Sequence, residues 1–216
     1  MLDLFSDEAP WVEAIVPGAV VLRRFARDQA ATLLAGIEAV AAQSPFRQMM
    51  TPGGFTMSVA MTSCGQQGWI TDRQGYRYQA RDPLSQHPWP PMPPEFYLLS
   101  QQAAAMAGFA QFMPDSCLIN RYVPGAKMAL HQDKDEQEQA APIVSVSLGL
   151  PARFLFGGLT RSAPLHPVLL EHGDVVVWGG EARLNYHGIQ PVKAGNHPLV
   201  GALRYNLTFR RSGKYE

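Results

Sequence analysis

The residues with the clearest chemical potential lie in the stretch NRYVPGAKMALHQDKD at residues 120–135. His131 and Asp133 are separated by one residue, and on an extended chain that spacing directs both side chains to the same face. A distant histidine, His187, could then complete a set of three ligands for one metal ion. Two histidines and one carboxylate on a single side of a metal leave its other positions open, which suits an iron(II) ion that must also bind reactants.

A histidine two residues before an aspartate is a weak signal by itself, because His172 and Asp174 repeat the spacing. The surrounding EHGDVVVW predicts a Gly-Asp turn before an apolar strand, so we interpret this second pair as structural. For His131 and Asp133, ordinary surface polarity is an equally good interpretation as long as the motif is taken alone.

The segment RYNLTFR near the end of the chain favours the metal interpretation. Polar and apolar side chains alternate along it, which predicts a strand with two unlike faces. The polar face contains Arg204, Asn206, Thr208 and Arg210. An edge strand with a solvated polar face is the ordinary alternative. If this face instead lines a cavity, arginines at the two ends of a strand of about 20 Å could hold a short dicarboxylic acid between them.

These motifs, and most of the chain around them, resemble the AlkB family of Fe(II)/2-oxoglutarate-dependent demethylases, which repair alkylated nucleic acid. The stretches that carry the resemblance include QSPFRQM, TPGGFTMSVAMT, CLINRYVPGAKM, HQDKDE, APIVSVSLGLPARF, LLEHGDVVVWGGE, YHGIQP and RYNLTFR. The resemblance implies a mostly β fold with flanking helices, namely a double-stranded β-helix (jelly-roll) core with an N-terminal nucleotide-recognition lid. Repeated short strands separated by Gly and Pro turns favour the same class.

The resemblance also implies the reaction and the ligands of the metal. Fe(II) would be bound by His131, Asp133 and His187, with 2-oxoglutarate and O2 as co-substrates. An N-methyl group of 1-methyladenine or 3-methylcytosine would be hydroxylated and lost as formaldehyde, while 2-oxoglutarate and O2 are converted to succinate and CO2.

The resemblance further assigns residues to 2-oxoglutarate. Arg204 would pair with the distal carboxylate of the co-substrate, and Arg210 would lie near its metal-bound end. Asn120, Tyr122 and Asn206 would supply polar contacts.

Residues 63–81 predict a glycine-rich, mobile loop in which aromatic and basic side chains interleave. Aromatic rings can stack on bases, and basic groups can meet phosphates. A surface hairpin with partly buried rings explains the composition equally well. The resemblance assigns this stretch to the lid and implies that Trp69 stacks on the extruded base and that Tyr76 contacts phosphate. We assign Tyr78 to the same substrate surface.

Four residues outside the lid are further candidates for substrate binding. Met61 ends a predicted half-buried strand and could border the site. Asp135 could accept a hydrogen bond from the exocyclic amine of a base, and a carboxylate beside aromatic rings suits a cationic methylated base. A solvated acid is the alternative interpretation of Asp135. Arg161 and Lys127 are candidate phosphate or lid contacts, although lone basic residues are more often surface charge.

Composition narrows the possible partners and compartment. The chain is 46% hydrophobic and 17% charged, which is typical of a globular protein. Its 18 basic and 18 acidic residues balance, so a nucleic-acid contact must come from a local patch. No signal peptide or membrane-spanning run is apparent, and Cys64 and Cys117 are interpreted as reduced, packed thiols. We therefore expect a cytoplasmic monomer that binds no membrane. The family resemblance implies that its partners are alkylated single- or double-stranded DNA and RNA.

We expect a single domain over residues 1–216, with an N-terminal extension and lid at about 1–90 and the jelly-roll core at about 115–216. Trp11 is expected to anchor an irregular lead-in, and residues 82–94 are expected to form an exposed connector. The predicted helices span 28–43 and 94–109. The predicted strands span 19–22, 55–62, 116–122, 143–148, 153–156, 166–170, 174–178 and 199–210.

Two other functions remain open from the sequence. A 2-oxoglutarate oxygenase acting on a protein or a small molecule would share the core motifs, and residues 69–81 together with Asp135 are the features that distinguish it. A non-catalytic, cupin-like binding module is disfavoured by two arginines directed at the metal. It would be favoured if 2-oxoglutarate did not bind.

Overall fold

Strands dominate the computed structural model, which describes residues 9–213. Within those residues the α-helices are α1 (Ala30–Gln43) and α2 (Pro94–Met106), and a short 3-10 helix covers Gly180–Ala182. The strands, β1 to β14 in chain order, are Trp11–Val16, Ala19–Arg23, Arg47–Met50, Thr56–Gly65, Gly68–Asp72, Gly75–Gln79, Ser116–Tyr122, Met128–His131, Ile143–Gly149, Ala152–Phe156, His166–Leu170, Val175–Trp178, His187–Ile189 and Arg204–Arg210. Neither α-helix of the described part is long and apolar enough to cross a membrane.

A large and a small antiparallel sheet form the core. The large sheet has the order β1-β2-β12-β9-β14-β7-β4-β3, and the small sheet has the order β11-β10-β13-β8. Strands distant in the chain are neighbours, as in a jelly-roll. The predicted mostly-β class, with a jelly-roll core and flanking helices, is confirmed. A separate two-stranded hairpin, β5–β6, follows β4 and occupies the predicted lid position.

The two helices cover one face of the large sheet. Leu33 of α1 and Phe96 of α2 belong to the same buried cluster as Leu207 and Phe209 of β14. The rings of Phe96 and Phe209 meet edge to face, with centroids 6.1 Å apart. Each such side chain contributes about 1.5–3 kcal/mol through burial, so this apolar layer holds β14 firmly in place.

The opposite face of β14 is polar and points between the two sheets. Arg204, Asn206, Thr208 and Arg210 are all buried there. Because β14 lies between β9 and β7, it is a central strand, and the edge-strand alternative is wrong. Polar side chains on a central strand must face partners or a ligand, since solvent does not reach them.

Several expectations about local structure need correction. Residues 63–81 do not form a loop, because β4 continues to Gly65 and the β5–β6 hairpin follows. The final strand begins at Arg204, five residues later than predicted. Residues 82–94 are not wholly exposed, since Asp82 and Trp89 are buried at 1% and 5% exposure.

The lead-in is also more ordered than expected. Residues 11–16 form β1, which pairs with β2. Trp11 is 44% exposed and therefore does not anchor the segment by burial. Residues 1–8 lie outside the described part of the chain. The short strands β3, β8 and β13 were not expected, because three or four residues are too few to show a periodic pattern.

Asp82 connects β3 to the segment after the hairpin. Its carboxylate accepts hydrogen bonds from Ser44 Oγ at 2.6 Å, Arg47 Nη2 at 2.7 Å and the Leu84 N–H at 2.9 Å. Burial raises the pKa of Asp82, but the hydrogen bonds from Arg47, Ser44 and Leu84 outweigh it and lower the pKa to about 2. Because this pKa lies below the ordinary value, the ionised carboxylate stabilises the fold above about pH 4, and the stabilisation is lost as the pH falls toward about 2.

Replacing Asp82 with Asn should lower the free energy of unfolding by about 2 kcal/mol at neutral pH. The difference should shrink between about pH 4 and pH 2, because the natural carboxyl is then protonated and neutral as well. Denaturant unfolding at several pH values measures the effect. Asp72→Asn, which removes an exposed ion pair with Arg77, is the control and should change stability little. A loss of unfolding free energy in Asp82→Asn that does not vary with pH would contradict the lowered pKa of Asp82.

Candidate metal centre and its pocket

His131, Asp133 and His187 lie together, with one ligand atom from each within 4.8 Å of the others. His131 ends β8 and His187 begins β13, and the two are direct partners across the small sheet. His131 Nε2 is 3.6 Å from Asp133 Oδ1, and His187 Nε2 is 3.7 Å from Asp133 Oδ2. Two histidines and one carboxylate thus converge on one point, which fits a facial iron(II) site.

Both histidines direct the same nitrogen at this point. His131 Nδ1 lies 2.8 Å from the carbonyl oxygen of Ala129, and His187 Nδ1 lies 2.9 Å from that of Asn185. A carbonyl only accepts, so each Nδ1 donates its hydrogen and each Nε2 keeps a lone pair for a metal. Burial, with a smaller effect of His131, lowers the pKa of His187 to about 4, so its ring is neutral at physiological pH.

Asp133 is held in its charged form by Arg210. Burial by itself raises the pKa of Asp133, but Arg210, followed by His187 and His131, holds the pKa of this carboxyl well below its usual range. Arg210 donates to Asp133 Oδ2 from Nε at 3.0 Å and from Nη2 at 2.7 Å. The carboxylate is therefore available as an anionic ligand.

Gly188 allows the two histidine strands to approach closely. A Cβ atom at this position would lie 2.8 Å from the carbonyl oxygen of Met128 on β8. Any other residue would push β13 away from β8, so glycine here keeps His187 opposite His131.

A cavity of about 700 Å³ opens onto the three ligands and lies between the two sheets and the hairpin. That volume is in the usual range for a small-molecule site. Of the residues assigned to co-substrate or substrate from the sequence, all but Tyr78 line it: Met61, Trp69, Tyr76, Asn120, Tyr122, Lys127, Asp135, Arg161, Arg204, Asn206 and Arg210.

Tyr78 is the one candidate from the sequence that does not line the cavity. Its side chain is only 5% exposed, and its hydroxyl donates to Glu136 Oε1 at 2.6 Å. Tyr76 and Tyr78 share a face of the hairpin, but Tyr76 lines the cavity while the Tyr78 hydroxyl faces Glu136. A contact between Tyr78 and the substrate stays a prediction.

Arg204 forms the end of the cavity away from the hairpin. It is 1% exposed, and its Nη2 donates to Ser147 Oγ at 2.9 Å. Burial lowers its pKa to about 10, so it stays charged at neutral pH. Among the described residues, Arg204 Nε, Arg210 Nη1 and Asn120 Oδ1 have no hydrogen-bond partner. Buried donors at both ends of β14 fit a ligand with two carboxylates, such as 2-oxoglutarate.

The mouth of the cavity is aromatic and charged. Trp69 and Tyr76 of the hairpin stack with ring centroids 5.7 Å apart and an interplanar angle of 17°. Trp69 Nε1 donates to Asp135 Oδ2 at 2.9 Å. Across the mouth, the Arg161 guanidinium lies 5.2 Å from the centre of the Tyr186 ring. Flat rings beside a carboxylate suit a cationic base.

Several lining residues were not among the sequence candidates: Gln132, Ser145, Trp178, Tyr186 and Thr208. A signal was present for Thr208, which alternates with Asn206 and Arg210 on β14. The sequence around Ser145 shows no such alternation, because its strand is buried along its whole length. Its place beside Asn206, at 2.8 Å between Oγ and Nδ2, depends on the pairing of β9 with β14.

Comparison with known proteins agrees with this geometry. Residues 18–210 match the 2OG-Fe(II) oxygenase superfamily. The chain is 66% identical to the alpha-ketoglutarate-dependent dioxygenase AlkB of Salmonella typhimurium and 65% identical to that of Escherichia coli strain K12, in each case over 100% of both chains.

The solved structure of OsALKBH1 has the same fold, with a TM-score of 0.81 and 28% identity over 93% of this chain and 100% of that one. The chain therefore belongs to the 2OG-Fe(II) oxygenase superfamily, and within it to the AlkB dioxygenases.

Proposed function

We propose that this protein repairs alkylated DNA and RNA by oxidative demethylation of N-methylated bases, with Fe(II) as cofactor and 2-oxoglutarate and O2 as co-substrates. The observation that supports this most directly is the convergence of His131, Asp133 and His187 on one cavity, with Arg204 at one end and aromatic rings at the other. We take 1-methyladenine and 3-methylcytosine as the substrates, because both are cationic and the mouth is lined by rings and a carboxylate.

The chain's own residues bind and orient the reactants. His131, Asp133 and His187 would hold Fe(II) through two neutral nitrogens and one anionic oxygen. Arg204 would pair with the distal carboxylate of 2-oxoglutarate. When bound, Fe(II) with its co-substrates supplies the oxidising chemistry that hydroxylates the methyl carbon, after which formaldehyde is lost. The protein contributes placement and a cavity that limits access of water.

The hairpin would receive the base. The N-methyl group of these bases lies on the pairing edge, so the base must leave the stack or come from a single strand. Trp69 would stack on the extruded base, and Asp135 would accept from its exocyclic amine. Tyr76, Lys127 and Arg161 line the same mouth and would contact the nucleotide or its phosphates.

We also propose one domain over residues 1–216 and a cytoplasmic monomer. In support, β1 to β4 from the N-terminal part belong to the large sheet, so the extension and the core share one structure. Cys64 and Cys117 are free and buried opposite each other on β4 and β7, as expected for reduced thiols.

Replacing His131, Asp133 or His187 with Ala should reduce Fe(II)-dependent succinate formation by about 100-fold or more, because each loss removes one of three ligands. His166→Ala, at an exposed position on β11, is the matched control and should retain turnover. Succinate is measured by mass spectrometry with excess 2-oxoglutarate. Sustained succinate formation by any of the three variants would exclude that residue from the ligand set.

Arg204→Lys should raise the KM for 2-oxoglutarate by about 10-fold to 100-fold, because an ammonium group keeps the charge but loses the paired N–H donors. Binding of Mn²⁺, which substitutes for Fe(II) without oxidation, should be unaffected. Arg153→Lys, exposed on β10, serves as the control. If Arg204→Lys leaves the KM unchanged, the distal carboxylate lies elsewhere.

Trp69→Ala should weaken binding of an oligonucleotide containing 1-methyladenine by about 10-fold, the usual effect of losing one stacked base. 2-Oxoglutarate affinity should not change. Trp69→Phe keeps a ring but loses the hydrogen bond to Asp135, so it separates stacking from that contact. Trp11→Ala, at an exposed site on β1, is the control. Fluorescence anisotropy gives the Kd, and equal affinity for Trp69→Ala and the unchanged chain would rule out stacking.

A further inference from the structure

Tyr78 connects the β5–β6 hairpin to the segment that follows the candidate metal ligand Asp133. It lies directly opposite Trp69 in the hairpin, so the two side chains share a face. Trp69 donates to Asp135 at 2.9 Å, and the Tyr78 hydroxyl donates to Glu136 at 2.6 Å. The hairpin is thus hydrogen-bonded to two consecutive acids in the irregular segment that also contains Asp133.

Glu136 is a buried anion between two arginines. It is 4% exposed, and its Oε2 accepts from Arg183 Nη2 at 3.1 Å while its Oε1 lies 3.3 Å from Arg210 Nε. Arg183 also donates from Nη1 to the main-chain oxygen of Asp133 at 2.6 Å. Glu136 therefore orients both guanidinium groups that hold Asp133, one at its main chain and one at its carboxylate.

Arg210 is shared between two carboxylates. Its Nε lies 3.0 Å from Asp133 Oδ2 and 3.3 Å from Glu136 Oε1. The Tyr78 hydroxyl is nearer to that same Glu136 oxygen. An oxygen that already accepts a short hydrogen bond attracts a second donor less strongly. Burial raises the pKa of Tyr78 well above its ordinary value, so the phenol keeps its proton and remains a donor.

We propose that Tyr78 and Glu136 are positioning residues that couple the hairpin to the metal carboxylate through Arg210. When the hairpin moves and withdraws the Tyr78 hydroxyl, Glu136 draws Arg210 away from Asp133, and the ligand loses the contact that orients it. By reciprocity, a bound metal restrains the hairpin to the same extent. The inference rests on the proposed metal site, but it does not depend on which nucleic acid is repaired.

The test is the affinity for Mn²⁺ of the full chain carrying Tyr78→Phe, which deletes one hydroxyl and keeps the ring. We expect the Kd for Mn²⁺ to rise about 10-fold, the usual effect of losing a residue that orients a ligand. Tyr97→Phe on α2 is the matched control and should bind Mn²⁺ normally. Electron paramagnetic resonance of free Mn²⁺ gives the Kd, and thermal unfolding confirms that both variants are folded.

A double-mutant cycle tests whether Tyr78 acts through Glu136. Glu136→Gln should weaken Mn²⁺ binding, and adding Tyr78→Phe to it should cause little further loss, because the pathway is already broken. A double variant whose fold increase in the Kd for Mn²⁺ equals the product of the two single increases would overturn the proposal. Normal Mn²⁺ affinity in folded Tyr78→Phe would overturn it as well.

Hydrogen exchange of the unchanged chain and of Tyr78→Phe supplies a further test. Mn²⁺ should slow amide exchange in residues 68–79 of the hairpin, and Tyr78→Phe should lose this protection. Absence of the protection in the unchanged chain would overturn the coupling. Failure of the unchanged chain to bind Mn²⁺ would count against the metal site and the coupling together, whereas normal binding with no effect of Tyr78→Phe would count against the coupling alone.

Discussion

A buried carboxylate that must stay ionised is the constraint on which the site depends. Asp133 is 8% exposed, and burial alone would favour its neutral form, which binds a metal poorly. Arg210 reverses this with two hydrogen bonds to one oxygen. Arg210 is itself buried, and a buried cation requires anionic partners. The charges of Asp133, Glu136, Arg183 and Arg210 therefore have to be placed together, and none can be moved independently.

The two sheets place these charges with little freedom. β14 presents Arg204 and Arg210 to the cavity because its other face, with Leu207 and Phe209, is packed under the helices. A slip of one residue would exchange the faces and bury the arginines against apolar side chains. Pairing of β8 with β13 in the small sheet puts His131 beside His187. The two histidines thus come from the small sheet, Asp133 follows β8, and the co-substrate arginines come from the large sheet. The cavity between the sheets brings these groups together.

The hairpin has a different relation to the core. Its stacked Trp69 and Tyr76 lie at the mouth, where a base would enter, while Tyr78 is buried against Glu136. One element therefore has a face for the substrate and a contact with the charge cluster around Asp133. Three side chains, those of Tyr78, Glu136 and Arg210, link the hairpin to the carboxylate of Asp133 through polar contacts. This path is short enough for a change in the hairpin to affect the carboxylate.

The sequence by itself determined the residue types and the periodicity of this protein. The spacing of His131 and Asp133, the alternation along residues 204–210 and the family resemblance were enough to predict the jelly-roll class and the residues that the cavity gathers. Only the tertiary structure showed that Tyr78 is buried against Glu136, and it alone decided the roles of Glu136, Arg183 and Ser147. The physical reason is that these roles depend on partners from distant strands. A sequence does not show whether a polar side chain is buried, nor which group pairs with it when it is.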